Sequence, residues 1–257
     1  MDRDRRRFLT GAALSAGAFT LAGCDGLSRT SWWPRVLAGA EAVTKRAQRL
    51  VAGSWSLAPE YTKADIAPEF RANGTLDPGT PAYAQMAANG FRNWRIPVGG
   101  LVETPLDLSL ADLRAMPPRT QITRHDCVEG WSCIGEWTGT PLRLLLAEAR
   151  PKPNANYVVF YCADPMSTDQ DGNSTFYYES LDLVEASHPQ TLLAYKLNGE
   201  DLPVAHGAPV RLRCERQLGY KHAKYVQRLE LVENFDHING GKGGYWEDLG
   251  YSWWGGI

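Results

Sequence analysis

The chain has 257 residues, of which 44% are hydrophobic and 22% charged, and a formal net charge of -2. That length and balance suit one substantial domain with appendages and exclude wholesale disorder. A nearly neutral chain with no basic stripe in its body also excludes nucleic acid as a partner.

Residues 1–24 read as an export signal. Arg5-Arg6-Arg7-Phe8-Leu9 precedes a short apolar run from Gly11 to Gly23, too short to span a bilayer comfortably. Arg5-Arg6 followed by Phe8-Leu9 is the twin-arginine form, which directs export by the Tat route and implies a periplasmic or extracytoplasmic location. Leu21-Ala22-Gly23-Cys24 is similar to a bacterial lipoprotein box, so Cys24 is the expected lipid anchor. Residues 25–64 are expected to form an N-terminal helix and arm. Val36, Ala40, Val43, Ala47 and Leu50 share one face, with Arg35, Lys45, Arg46 and Arg49 elsewhere. Such a helix packs on a domain or touches a membrane or redox partner.

The body, 65–235, predicts a strand-rich α+β domain. Proline, glycine and polar residues from Tyr61 to Pro81 predict an irregular ordered arm. A strand over Asn93–Val102 is broken at Gly99-Gly100, and a short helix follows over Ser109–Met116, capped by Ser109 and stopped by Pro117-Pro118. Arg119 to Cys127 predicts a strand entering a glycine-bearing loop, and Pro141 to Arg150 a compact helix. Tyr157 to Cys162 is continuously apolar and predicts a buried strand. Leu181–Ala186 is helical in tendency, and Leu192–Leu197 before Asn198-Gly199 is one arm of a hairpin. Pro209–Cys214 and Val226–Val232 are further strands, and 236–257 is a tail rich in Gly, Trp and Tyr.

The five cysteines, 24, 127, 133, 162 and 214, fit no zinc ribbon and contain no CxxC. In an oxidising compartment two disulfides among the last four are an open reading. Another is a thiol enzyme, with Cys127 as nucleophile and His125 or His222 as base.

Two motifs point elsewhere. Arg124-His125-Asp126-Cys127-Val128-Glu129-Gly130-Trp131-Ser132 is followed by Trp137-Thr138-Gly139-Thr140-Pro141-Leu142. Downstream come His206-Gly207-Ala208-Pro209-Val210-Arg211-Leu212 and Gly219-Tyr220-Lys221-His222-Ala223-Lys224, and upstream a weaker Phe70-Arg71-Ala72-Asn73-Gly74. In this order the motifs resemble the sulfite-oxidase family of molybdopterin-dependent oxidoreductases. Within it they are similar to the catalytic subunits of bacterial periplasmic methionine sulfoxide reductases. The resemblance implies a molybdenum–molybdopterin cofactor with Cys127 as the protein's sulfur ligand. A thiolate is a soft donor that a bound metal keeps deprotonated. By the same resemblance Arg71, Asn73, Cys162, His206, Arg211, His222, Ala223 and Lys224 approach the cofactor, with Arg211 and Lys224 suited to its phosphate.

Sulfite oxidases place paired arginines shortly after the cysteine; here the positions read Gly130-Trp131-Ser132. This disfavours an anionic substrate and suits a sulfoxide packed against Trp131. Tyr177, or the adjacent Tyr178, is placed to hydrogen-bond substrate or a metal-held oxygen. The expected activity is oxygen-atom transfer, chiefly reduction of an S-oxide in a small or protein-bound substrate. Sulfite or other small-molecule oxidation is the alternative. With no CxxCH or flavin fingerprint, electrons come from a membrane haem or quinol-linked subunit, as the resemblance implies. A cofactor-free, lipid-anchored binding module is the non-enzymatic alternative.

Overall fold

The structure, a computed structural model, describes residues 30, 32–168 and 172–257, without the side chains at 34, 35, 37 and 38. The twin-arginine run and Cys24 lie outside the described residues. Contacts divide the chain into two units at Val51/Ala52. The first holds α1, Trp33–Ala52, a 20-residue helix whose last residue belongs to the second unit. No helix among the described residues is long and apolar enough to cross a membrane.

The second unit is built on two sheets. One has the order β2-β1-β10-β5-β6, comprising Leu106–Ser109, Arg95–Gly100, Val226–Val232, Tyr157–Thr168 and Ser174–Asp182. Its strands are antiparallel except for the parallel β1–β10 pair. The other runs β3-β4-β7, Arg119–Asp126, Ser132–Pro141 and Thr191–Leu197. β8, Glu200–Asp201, and β9, Arg211–Cys214, pair with opposite ends of β7. The main core draws Ile96, Val98, Phe160 and Leu229 from the first sheet and Leu193 and Leu212 from the second. This is the strand-rich α+β domain the sequence predicts.

Helices sit where their caps and apolar stripes put them. Before α2, Pro81–Ala88, Thr80 accepts from the Tyr83 amide. For α3, Leu110–Ala115, the Ser109 amide donates to the Asp112 carboxylate at 2.8 Å and the Asp112 amide to Ser109 Oγ at 3.1 Å. In α4, Leu142–Ala149, residues Leu142, Leu145, Leu146 and Ala149 form one buried stripe. Asn198 and Gly199 take φ of +51° and +84°, the two left-handed positions of a tight hairpin turn.

Several expectations are corrected. Only Leu183–Ala186 is helical (α5); Leu181 and Asp182 complete β6, and Asp182 caps the helix by accepting from the Glu185 amide at 3.0 Å. The glycine-bearing loop expected after Cys127 is present and spans the few residues before β4 starts at Ser132. The 236–257 segment, with α6 at Tyr245–Asp248, packs into the second unit. Tyr178 donates to Asp248 at 2.5 Å, and Tyr220 donates to the Ser252 carbonyl at 2.7 Å.

Candidate active site

Strand alternation buries Gln121, Thr123 and His125 on one face of β3, and Cys127 follows in the same sense. The chain then reverses through Gly130, at φ +84°, a conformation that favours glycine. The Cys127 amide donates to the Trp131 carbonyl at 2.9 Å, and the Gly130 amide to the Cys127 carbonyl at 3.1 Å. The thiol is buried and free, as are those of Cys133, Cys162 and Cys214, so the two-disulfide reading fails among the described residues. Asn73 Nδ2, from the arm, donates to Cys127 Sγ at 3.8 Å.

Asn73 also lines a cleft with about 450 Å³ of free space. Its wall includes Tyr177 of β6, Arg211 of β9, and His222 and Lys224 from the segment before β10. Alternation along β9 places Arg211 and Arg213 on one face, both buried, against the ring of Trp137 at 4.9 and 4.5 Å. Their partners differ. Arg213 pairs with Glu215, which also accepts from Gln121 at 2.9 Å. Arg211 makes no ion pair among the described residues. It donates to the carbonyls of His206, at 3.1 Å, and His222, at 3.3 Å, and its buried Nε is unpartnered. Burial and the neighbouring Arg213 lower its pKa to about 9. A buried cation without a counter-ion is expensive, so this position favours an anion.

Lys224 is a second such cation. Nζ donates to the carbonyls of Asn73 at 2.7 Å and Ala205 at 3.0 Å, and to that of Thr75. Burial and Arg211 lower its pKa to about 7. The histidines are neutral for the same reason: burial first, then the arginines, push His125 and His222 well below the usual imidazole value. Arg213 donates to His125 Nδ1 at 3.0 Å, leaving the proton on Nε2, which is buried without a partner beside Gly219. His222 Nε2 donates to the Gln217 carbonyl at 3.0 Å, leaving an unpartnered Nδ1 acceptor at the cleft.

The other expected residues are dispersed. Tyr177 reaches the cleft, donating its hydroxyl to the Tyr220 carbonyl, while Tyr178 joins a separate cluster with Val159, Val232 and Ile238. His206 lies against Phe70 at 5.8 Å, and burial lowers its pKa to about 4. Cys162 and Ala223 pack in the main core, where burial raises the Cys162 thiol's pKa. Arg71 is exposed, its guanidinium over the Trp131 ring at 5.0 Å, and Trp131 Nε1 donates to Glu129 at 2.9 Å. Arg71 and Trp131 do not line the cleft.

The profile of the oxidoreductase molybdopterin-binding domain matches residues 83–237. A protein of Azospira oryzae, provisionally named protein-methionine-sulfoxide reductase subunit YedZ1, is 39% identical over 200 residues, covering 78% of this chain and 68% of the relative. The chain belongs to the molybdopterin-binding oxidoreductases. It is therefore an enzyme, and its cofactor is molybdenum–molybdopterin. Among solved structures, the sulfane dehydrogenase SoxCD of Paracoccus pantotrophus is similar at 27% identity and a TM-score of 0.48. That similarity covers 56% of this chain and 39% of SoxCD.

The residues present fit this group. A phosphate-bearing pterin needs cations and polar contacts, and the cleft offers buried Arg211 without a counter-ion, Lys224, and the His222 acceptor. A molybdenum centre needs a thiolate, and Cys127 supplies a free sulfur in contact with a cleft residue. Sequence reasoning missed Asp164 and Thr75 in the wall and Arg213 behind it. Only Arg213 had a signal, its two-residue spacing from Arg211.

Proposed function

We infer that this enzyme is exported and transfers an oxygen atom, reducing an S-oxide such as a sulfoxide. The observation that carries the reading is the Gly130-Trp131-Ser132 turn, with Trp131 held by Glu129 and bonded through its carbonyl to Cys127. An indole on the turn that carries the cysteine suits an uncharged substrate with apolar groups better than a small oxyanion. The named activity of the Azospira relative supports the same direction of turnover.

When bound, the molybdenum cofactor supplies two-electron oxygen-atom chemistry. Cys127 would hold the metal, and Arg211, His222 and Lys224 the pterin and its phosphate. Asn73 orients the sulfur. Trp131 would offer an apolar surface on the turn that carries Cys127, and Tyr177 fixes the Tyr220 carbonyl at the cleft. The Arg5-Arg6 leader supports Tat export, Cys24 a lipid anchor, and the relative's designation as a subunit a membrane haem or quinol-linked electron partner. Sulfite oxidation is the second reading, favoured by one observation: Arg71 stacks on Trp131 with its charge exposed.

The test is purified holoenzyme assayed for sulfoxide reduction with a reduced dye, and for sulfite oxidation with an oxidised one. Sulfoxide turnover well above sulfite turnover supports the proposal; the reverse order overturns it. Elemental analysis should give about one molybdenum per chain and essentially none in Cys127→Ala.

A further inference from the structure

Asp164 belongs to none of the sequence motifs. It lies on β5 where pairing with β6 shifts register between Tyr161 and Pro165, an irregularity that re-aims side chains. The residue is 4% exposed and lines the cleft, and its Oδ1 is buried with no hydrogen-bond partner. The nearest cation, Lys224, is engaged by three backbone carbonyls and makes no ion pair with it among the described residues. The other titratable groups facing Asp164 are Tyr177 of β6, Tyr83 of α2, Tyr225 beside Lys224, and Cys162 on its own strand. None brings a positive charge. Burial without a paired cation favours the neutral acid and raises the pKa to about 6, against smaller opposing effects of backbone, Thr75 and Lys224.

We propose that Asp164 is a catalytic acid of this cleft, holding a proton on its carboxyl and giving it to the oxygen that leaves an S-oxide substrate. The proposal rests on the S-oxide reading above. An S-oxide, two electrons and two protons yield a thioether and water, the electrons coming from the two-electron-reduced molybdenum cofactor. As the S–O bond breaks, Asp164 supplies the proton for one new O–H bond and solvent supplies the other. Water then reprotonates the carboxylate.

Two measurements on holoenzyme test this. The first is an infrared pH titration of the oxidised enzyme without substrate. Wild type should show a protonated-carboxyl band that disappears with a midpoint near pH 6 and is missing in Asp164→Asn. The second is kcat against pH for sulfoxide reduction with a reduced dye. Wild-type kcat should fall about tenfold per pH unit above that midpoint. Asp164→Asn should lose about 10²–10⁴-fold and the limb itself, at unchanged molybdenum content. Asp164→Glu should keep a limb with a displaced midpoint. The Lys224 ammonium, lowered to about 7, titrates nearby, so the limb must vanish with Asp164.

An absent band overturns the proposal, as does a wild-type pH profile in Asp164→Asn. Lost molybdenum in that variant does so too, making Asp164 a cofactor anchor. If Asp164→Asn does not fold, the wild-type band and limb decide together, and a mismatch of their midpoints overturns the assignment. Wild type inactive on every S-oxide overturns both the reaction and this role. The band then reports separately whether Asp164 holds a proton.

Discussion

Two arginines two residues apart on β9 test how burial and charge divide between stability and function. Arg213 has Glu215 as its carboxylate, whereas Arg211 has backbone carbonyls. Glu215→Gln leaves Arg213 buried without its counter-ion and should cost about 3–5 kcal/mol in urea unfolding. Arg211→Met removes a cation that lacked one. In the metal-free state the variant should unfold within about 1 kcal/mol of wild type, or be more stable, yet the variant, purified as the holoenzyme is, should carry essentially no molybdenum. Asp164 gives a pH signature in the same metal-free protein. Its pKa is raised from 3.8 to about 6, so the folded state holds the proton more tightly. Its stabilising contribution is complete below about pH 4 and is lost as pH rises through 6. Asp164→Asn should therefore gain on wild type by on the order of 2–3 kcal/mol between pH 4 and 7. Cys127, Arg211 and Lys224 were legible in the sequence because each sits inside a motif with its neighbours in order. Asp164 was not, because its burial and direction come from a register shift.

Between strands the decisive contacts are approaches that only a missing side chain permits. The turn at Gly219–Lys221 passes His125 so closely that a Cβ on Gly219 would lie 2.7 Å from Nε2. Gly219→Ala should fold, displace the His125 ring, and lower molybdenum occupancy severalfold by elemental analysis. A change in urea midpoint at normal occupancy would argue for a purely structural role. Caps, apolar stripes and the Asn198-Gly199 pair made α3, α4 and the hairpin readable beforehand. β6 was hidden for the opposite reason. It buries Glu179 and Ser180, whose acceptability depends on Lys221 and the Gly243 carbonyl, far along the chain. A polar composition reads as loop until those distant partners are in place.

At the scale of the molecule, a buried ammonium ties the tail to β6. Lys221 is 1% exposed and bonds Glu179 of β6 and Glu247 of α6, which together hold its pKa up against burial. Lys221→Met would leave two buried carboxylates facing each other and should cost about 3–5 kcal/mol in thermal or urea unfolding. Adding Glu247→Gln should recover part of that loss. The packing of the 236–257 segment was not legible, because an aromatic tail reads as an appendage until its partners on β6 are known. The three carbonyls gathered by Lys224 bear on biosynthesis. They belong to Asn73, Thr75 and Ala205, and the amine that secures them is made some 150 residues after the first two. A nascent chain emerging from the ribosome thus carries an unfastened arm until residue 224 is translated, and the wall of the cleft is incomplete until then.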